Sequence, residues 1–234
     1  MTRRLVIFDI DGTLTQTAAV DETCYQEAIR AEWGVVGVST DWGAYEHSTD
    51  NAIASEISRT HRGRDATDVE LANLRDRFVR LLHAEIASRP ERFRETPGAA
   101  AILRSLPSHG WSPAVATGGW TPSARLKLTQ ARVDVTGVPA AFACDARPRE
   151  EIIRIAMRRA EEHYGGAFER AVYVGDGLWD LRAAARLGIG FLGVATGARA
   201  ERFRDAGAVH LVADFRDGER FVELLYACMK PIGG

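Results

Sequence analysis

Asp9-Ile10-Asp11-Gly12-Thr13 places two carboxylates two residues apart, directly after the apolar run Leu5-Val6-Ile7-Phe8. Residues i and i+2 of an extended chain point the same way, and open α/β sheets bind ligands beyond the carboxyl ends of their strands. Two carboxylates at the end of a buried strand are costly unless a cation or a shared proton offsets them. A divalent metal is the simplest compensation; the plainer alternative is an Asp-Gly turn that only ends the strand. A second run, Ala114 to Ala116, leads into Thr117-Gly118-Gly119, a hydroxyl and unobstructed N–H groups just before a helix. Such groups can hold phosphate oxygens, although Gly- and Thr-rich strand-to-helix turns are common. A third run, Ala171 to Val174, enters Gly175-Asp176-Gly177-Leu178-Trp179-Asp180. Magnesium prefers hard oxygen ligands and keeps several waters, a demand that Asp176 and Asp180 suit together with Asp9.

The elements that must position these residues are legible as a rhythm. Leu5 to Phe8 is wholly apolar, the pattern of a strand buried on both faces of a parallel sheet. Similar runs recur at Ala114 to Ala116, Ala171 to Val174, Ile189 to Val194 and Val209 to Val212. Helical patterns lie between them at Ala99 to Leu106, Pro122 to Ala131, Glu150 to His163, Trp179 to Leu187 and Glu219 to Met229. Strand alternating with helix predicts a doubly wound α/β core. From Ala18 to Arg89 no buried strand appears and helical periodicity dominates three segments. Thr67 to Glu70 reads as a capping box opening the longest, with Val69, Leu74, Phe78, Leu81, Leu82 and Ile86 at helical spacing. The predicted division is a core of residues 1–16 and 90–234 with a smaller helical domain, 17–89, inserted in it. Following the acidic loop so closely, the insert suits a lid over an active site, against the simpler reading of helices that only add stability. Pro97 and Pro122, each behind a threonine, predict helix starts with hydroxyl N-caps at Thr96 and Thr121.

Asp-x-Asp-Gly-Thr near the N-terminus, Thr-Gly-Gly after a middle strand and Gly-Asp-Gly-x-x-Asp later, in that order, resemble the haloacid dehalogenase superfamily. The likeness spans about Leu5 to Val212, and the insert resembles that family's cap domain. It implies a magnesium-dependent phosphatase acting on small phosphate monoesters, phosphoglycolate-like or sugar-phosphate-like. Asp9 would be the nucleophile that forms an aspartyl-phosphate, and Asp11 the acid and then the base. Gly12, Thr117, Gly118 and Gly119 would bind the phosphoryl group, and Asp9, Asp11 (through its carbonyl), Asp176 and Asp180 would form the Mg2+ site. The family usually supplies a lysine, often as Lys-Pro, before the last acidic signal. Here Arg147-Pro148-Arg149 stands in that place, and either guanidinium could carry the missing charge. Lys127 is a third candidate, read more simply as an exposed position on its helix. The family's dehalogenases do not carry the second aspartate, so Asp11 argues for phosphate esters; its phosphonate hydrolases use a cap lysine, and the insert has none. A phosphosugar mutase would use the same acids. A non-catalytic phosphate-binding protein is the rival of another class, disfavoured because both Asp9 and Asp11 are present.

Composition sets the remaining bounds. A chain of 234 residues, 46% hydrophobic and 26% charged, suffices for one compact core with an appended module. Net charge −2 without a basic, aromatic-interleaved run gives no reason to expect nucleic acid or membrane as partner; a small phosphorylated metabolite fits. Cys24, Cys144 and Cys228 lie far apart with no metal or disulfide spacing, and the N-terminal apolar run is interrupted by Asp9 and Asp11, so a cytoplasmic location is expected. The patterns do not fix an oligomeric state, and a monomer suffices. Gly188-Ile189-Gly190-Phe191-Leu192-Gly193 matches a dinucleotide fingerprint but follows a helix and is itself a strand, the wrong context for one. In the insert, Tyr45, His47, Ser48, Thr49 and Asp50 form a polar cluster that could face a substrate, as could Trp120 beside the glycine loop.

Overall fold

The structure, a computed structural model, describes residues 3–231. Strand β1 (Arg4–Phe8) is followed by helices α1 (Ala18–Trp33), α2 (Asp50–Arg62), α3 (Asp68–Ser88) and α4 (Ala99–Ser105). Then come β2 (Trp111–Ala116), α5 (Thr121–Gln130), β3 (Ala140–Ala141), α6 (Arg149–Tyr164), β4 (Arg170–Gly175) and α7 (Leu178–Leu187). The chain continues through β5 (Gly190–Val194), α8 (Gly197–Asp205), β6 (Leu211–Val212), α9 (Gly218–Cys228) and β7 (Lys230–Pro231). The sheet order is β3-β2-β1-β4-β5-β6, all parallel, and short β7 pairs antiparallel with the start of β4. This is the expected doubly wound fold.

Alternation within β1 explains its burial. Val6 and Phe8 belong to the apolar cluster with α4, α5 and α9, whereas Leu5 and Ile7 belong to the cluster with α6 and α7. Both faces are covered, which is why no polar residue appears in the run. Register then sets the site: Phe8 lies opposite Val115 of β2 and Val174 of β4, so the three strands end side by side. At β1 the chain order reverses, with β2 on one side and β4 on the other, and this is the switch point where α/β sheets bind ligands.

Helices α1, α2 and α3 lie between β1 and β2 and share an apolar cluster that includes Tyr25, Ile57, Leu74 and Phe78 and extends to Trp120 and Ala143 of the core. The Thr67–Glu70 capping box forms as the sequence predicts. Several expectations are corrected. Val69 is 69% exposed and Leu71 takes its place on the buried face of α3. Neither Thr96 nor Thr121 caps a helix: α4 begins behind Gly98, and Thr121 is itself the first residue of α5, behind Trp120. Helix α8 and strands β3 and β7 lack a periodic signal long enough to be read, and Val209 lies outside β6. The glycine pattern ending at Gly193 is strand β5, where a side chain on Gly190 would collide with the Cys228 carbonyl. Among the described residues no helix is long and apolar enough to cross a membrane.

Candidate active site

The ends of β1, β2 and β4 line one cavity of about 880 Å³, together with α1, α2 and the loop 40–43 from the insert and α7 and α8 from the core. Asp9, Asp11, Thr117, Gly118, Gly119, Arg149 and Asp176 all reach it. Asp9, Asp176 and buried Asp180 each offer a carboxylate oxygen, and these oxygens lie within 4.8 Å of one another. Glycines make that convergence possible. A Cβ on Gly12, whose φ is +80°, would lie 2.0 Å from Asp176 Oδ2, and one on Gly175 would lie 2.4 Å from Asp180 Oδ2. Gly12 thus makes room for an acid, and its N–H is bonded to the Thr15 carbonyl at 2.7 Å. That N–H is therefore already paired within the acidic loop.

Burial pushes the Asp9 and Asp180 carboxyls above their ordinary range, Asp180 to about 7, and Arg149 works against burial in both cases. Asp176 is driven well above the carboxylate range by burial and then by the charges of Asp9 and Asp180, with Arg199 opposing at 2.5 Å. Burial raises all three carboxyls and a neighbouring acid adds to the rise in each, a cost that a hard divalent cation relieves. The donor set, all carboxylate oxygen, fits Mg2+ rather than a thiophilic metal. The Asp11 side chain is not in this cluster: Thr17 Oγ1 donates to its Oδ1 at 2.6 Å and Lys127 Nζ to its Oδ2 at 2.5 Å.

Lys127 overturns its sequence reading. It is fully buried on α5, and it also pairs with Asp21 of α1. Burial alone would drive the ammonium toward neutrality, but Asp11, Asp21 and Asp50 outweigh it and hold its pKa above the ordinary lysine value. The helical pattern around Lys127 contains no cue for this. Its partner Asp21 was missed altogether, because an acid in a first helical turn normally reads as a dipole-stabilising surface charge.

The two arginines also separate. Arg149 Nη1 donates to Asp180 Oδ1 at 2.8 Å, Tyr173 Oη at 3.2 Å and Asp9 Oδ1 at 3.3 Å, and Nη2 donates to the Ser48 carbonyl at 2.8 Å. Arg147 is exposed, and its contact here is a carbonyl that accepts from Thr49 Oγ1. Arg149 is the first residue of α6 and is buried, whereas Arg147 lies before Pro148, outside the helix, and is exposed. Thr117 is buried, its hydroxyl accepting from the Gly119 N–H at 3.3 Å. Of the polar cluster in the insert, Ser48 and Asp50 reach the cavity; Tyr45 stacks on Trp42 instead. Trp120 is buried between insert and core, its indole N–H bonded to Asn51 Oδ1 at 2.6 Å, so it is an interface residue rather than a substrate contact.

A family model described as haloacid dehalogenase-like hydrolase matches residues 3–188. Protein CbbY of Cereibacter sphaeroides is 28% identical over 228 residues, covering 91% of this chain and 92% of that protein. Among solved structures, a protein provisionally assigned as a beta-phosphoglucomutase from Bacteroides vulgatus superposes with TM-score 0.72 at 21% identity, covering 98% of this chain and 91% of that one. A mutant of CbbY from Rhodobacter sphaeroides in complex with xylulose-1,5-bisphosphate gives TM-score 0.66 at 21% identity, covering 93% and 96%. The two structures share this fold.

Proposed function

The chain belongs to the haloacid dehalogenase-like hydrolases and is a phosphatase-like enzyme, and from that premise we propose that it hydrolyses small phosphate monoesters of the sugar-phosphate type through a phosphorylated Asp9. The observation that carries the reading is the convergence of Asp9, Asp176 and Asp180 at one end of a cavity that also holds Thr117 and Gly118. That CbbY binds a pentulose bisphosphate supports the substrate class.

In the first step an Asp9 carboxylate oxygen attacks phosphorus, the ester P–O bond breaks, and the leaving oxygen takes a proton from Asp11. In the second, Asp11 removes a proton from water as it attacks the aspartyl-phosphate, which releases phosphate and regenerates Asp9. Lys127 and Thr17 each donate to one Asp11 carboxyl oxygen and so fix where that side chain stands for both steps. Asp9, Asp176 and Asp180 would hold Mg2+ with the Asp11 carbonyl, and the bound cation would neutralise phosphoryl charge and align the group. Thr117 and Gly118 would position the phosphoryl oxygens, and Arg149 supplies the positive charge beside Asp9. Residues 17–89 act as the cap that encloses the substrate. A Schiff-base route through Lys127 is disfavoured, because its ammonium is held charged by two acids.

The test is phosphate release from p-nitrophenyl phosphate and a panel of sugar and organic-acid phosphates, with Mg2+ or with chelator. Metal-dependent release supports the reading. An isomerised sugar phosphate in place of free phosphate would show a mutase, and no reaction from folded protein would indicate a binding role.

A further inference from the structure

Four consecutive residues of the helical insert hydrogen-bond to the core. The Ser48 carbonyl accepts from Arg149 Nη2 at 2.8 Å, and Thr49 Oγ1 donates to the Arg147 carbonyl at 2.7 Å. The Asp50 N–H donates to the Gly118 carbonyl at 2.8 Å, while its Oδ2 accepts from the Trp120 N–H at 2.8 Å. Asn51 Nδ2 donates to the Ala143 carbonyl at 2.7 Å and its Oδ1 accepts from the Trp120 indole. The start of α2 is thereby docked on the loop that would bind phosphate. Only one of these bonds comes from a group that also touches the nucleophile, and that group is Arg149.

We propose that Arg149 is a positioning residue for the insert, holding residues 48–51 over the phosphate loop with one terminal nitrogen while the other serves Asp9, Asp180 and Tyr173. A planar fork separates two sets of acceptors and fixes both. A lysine ammonium would end about where the guanidinium carbon lies, one bond short of both terminal nitrogens. Drawn to the acids, it would leave the Ser48 carbonyl behind. The packing leaves no slack for a rearrangement: a Cβ on Gly118 would sit 2.4 Å from Arg149 Nη2 and 2.5 Å from the Ser48 carbonyl oxygen. In this chain, then, the cation at the position where the resemblance implies a lysine supplies charge and also sets where the insert rests. The kinetic half of this inference rests on the hydrolase reading; the structural half does not.

The experiment compares the whole chain with Arg149→Lys by hydrogen exchange and by kinetics on p-nitrophenyl phosphate. Loss of one charge-assisted bond should raise exchange of the Asp50 amide by roughly tenfold or more, while core amides in β1 and β4 stay protected. Because the lysine keeps a positive charge near Asp9, KM should rise by a larger factor than kcat falls. Wild-type protection at Asp50 in Arg149→Lys overturns the proposal, whatever the activity. If that variant does not fold, Gly118→Ala forces the same pair apart, and an unchanged Asp50 amide there overturns it equally. The exchange measurement needs no substrate, so its failure is distinct from a failure to release phosphate.

Discussion

Replacing Lys127 with Met removes the ammonium that pairs with Asp11 and Asp21. Lys127 is fully buried, and its Nζ lies 2.5 Å from Asp11 Oδ2. At that separation and an effective dielectric of about 20, one pair attracts by about 6–7 kcal/mol, much of which offsets the cost of taking the charges out of water. What the variant exposes is the remainder, two partly buried acids left without their cation, for which up to about 3–5 kcal/mol of stability is lost. Against a total of about 5–15 kcal/mol for a folded domain, that shift is easily read by urea denaturation at pH 7.5. Adding Asp21→Asn to Lys127→Met removes one of the stranded carboxylates and should recover stability, by about 1–2 kcal/mol on the scale of a buried unpaired polar group. The reasoning fails if Lys127→Met unfolds within about 1 kcal/mol of the parent, or if the second substitution deepens the loss.

Asp9→Asn should abolish phosphate release while leaving the circular dichroism spectrum and melting temperature of the parent, and retained turnover would rule out the covalent route. In Asp176→Asn, calorimetric titration should detect Mg2+ binding markedly weaker than in the parent, since one of three converging oxygens is lost. The Asp21 carboxyl is pushed to about 7 from an ordinary 3.8, chiefly by burial, with Lys127 opposing and Asp11 adding to the rise. Between those values the folded chain keeps a proton that the unfolded chain has released, so stability should fall as pH rises from about 4 to about 7. Asp21→Asn should flatten that slope in a pH series of thermal melts.

The site's main acids were legible because their neighbours declare them. An apolar run buried on both faces cannot end in Asp9 or Asp176 without a reason, and the fold follows from the same runs. What stayed hidden depends on who stands opposite. Lys127 occupies a helical position whose spacing is equally compatible with solvent, and only the arrival of α1 across from α5 turns it inward. Arg147 and Arg149 are two residues apart and chemically alike; Pro148 and the start of α6 separate them, a difference of backbone direction that composition does not carry. The space that Gly12 leaves for a neighbouring carboxylate was equally hidden, because it is defined by Asp176, 164 positions away.

The central place of β1 bears on how the polypeptide matures. This strand is made before its flanking partners, which begin at Trp111 and Arg170, so its edges stay unpaired until those strands follow. Closing contacts across such separations costs chain entropy before any reward arrives. Biogenesis should accordingly be slow relative to a helical bundle of equal size, with the exposed apolar β1 as its vulnerable point. Catalytic competence would be acquired late, when β4 docks and delivers Asp176 alongside Asp9.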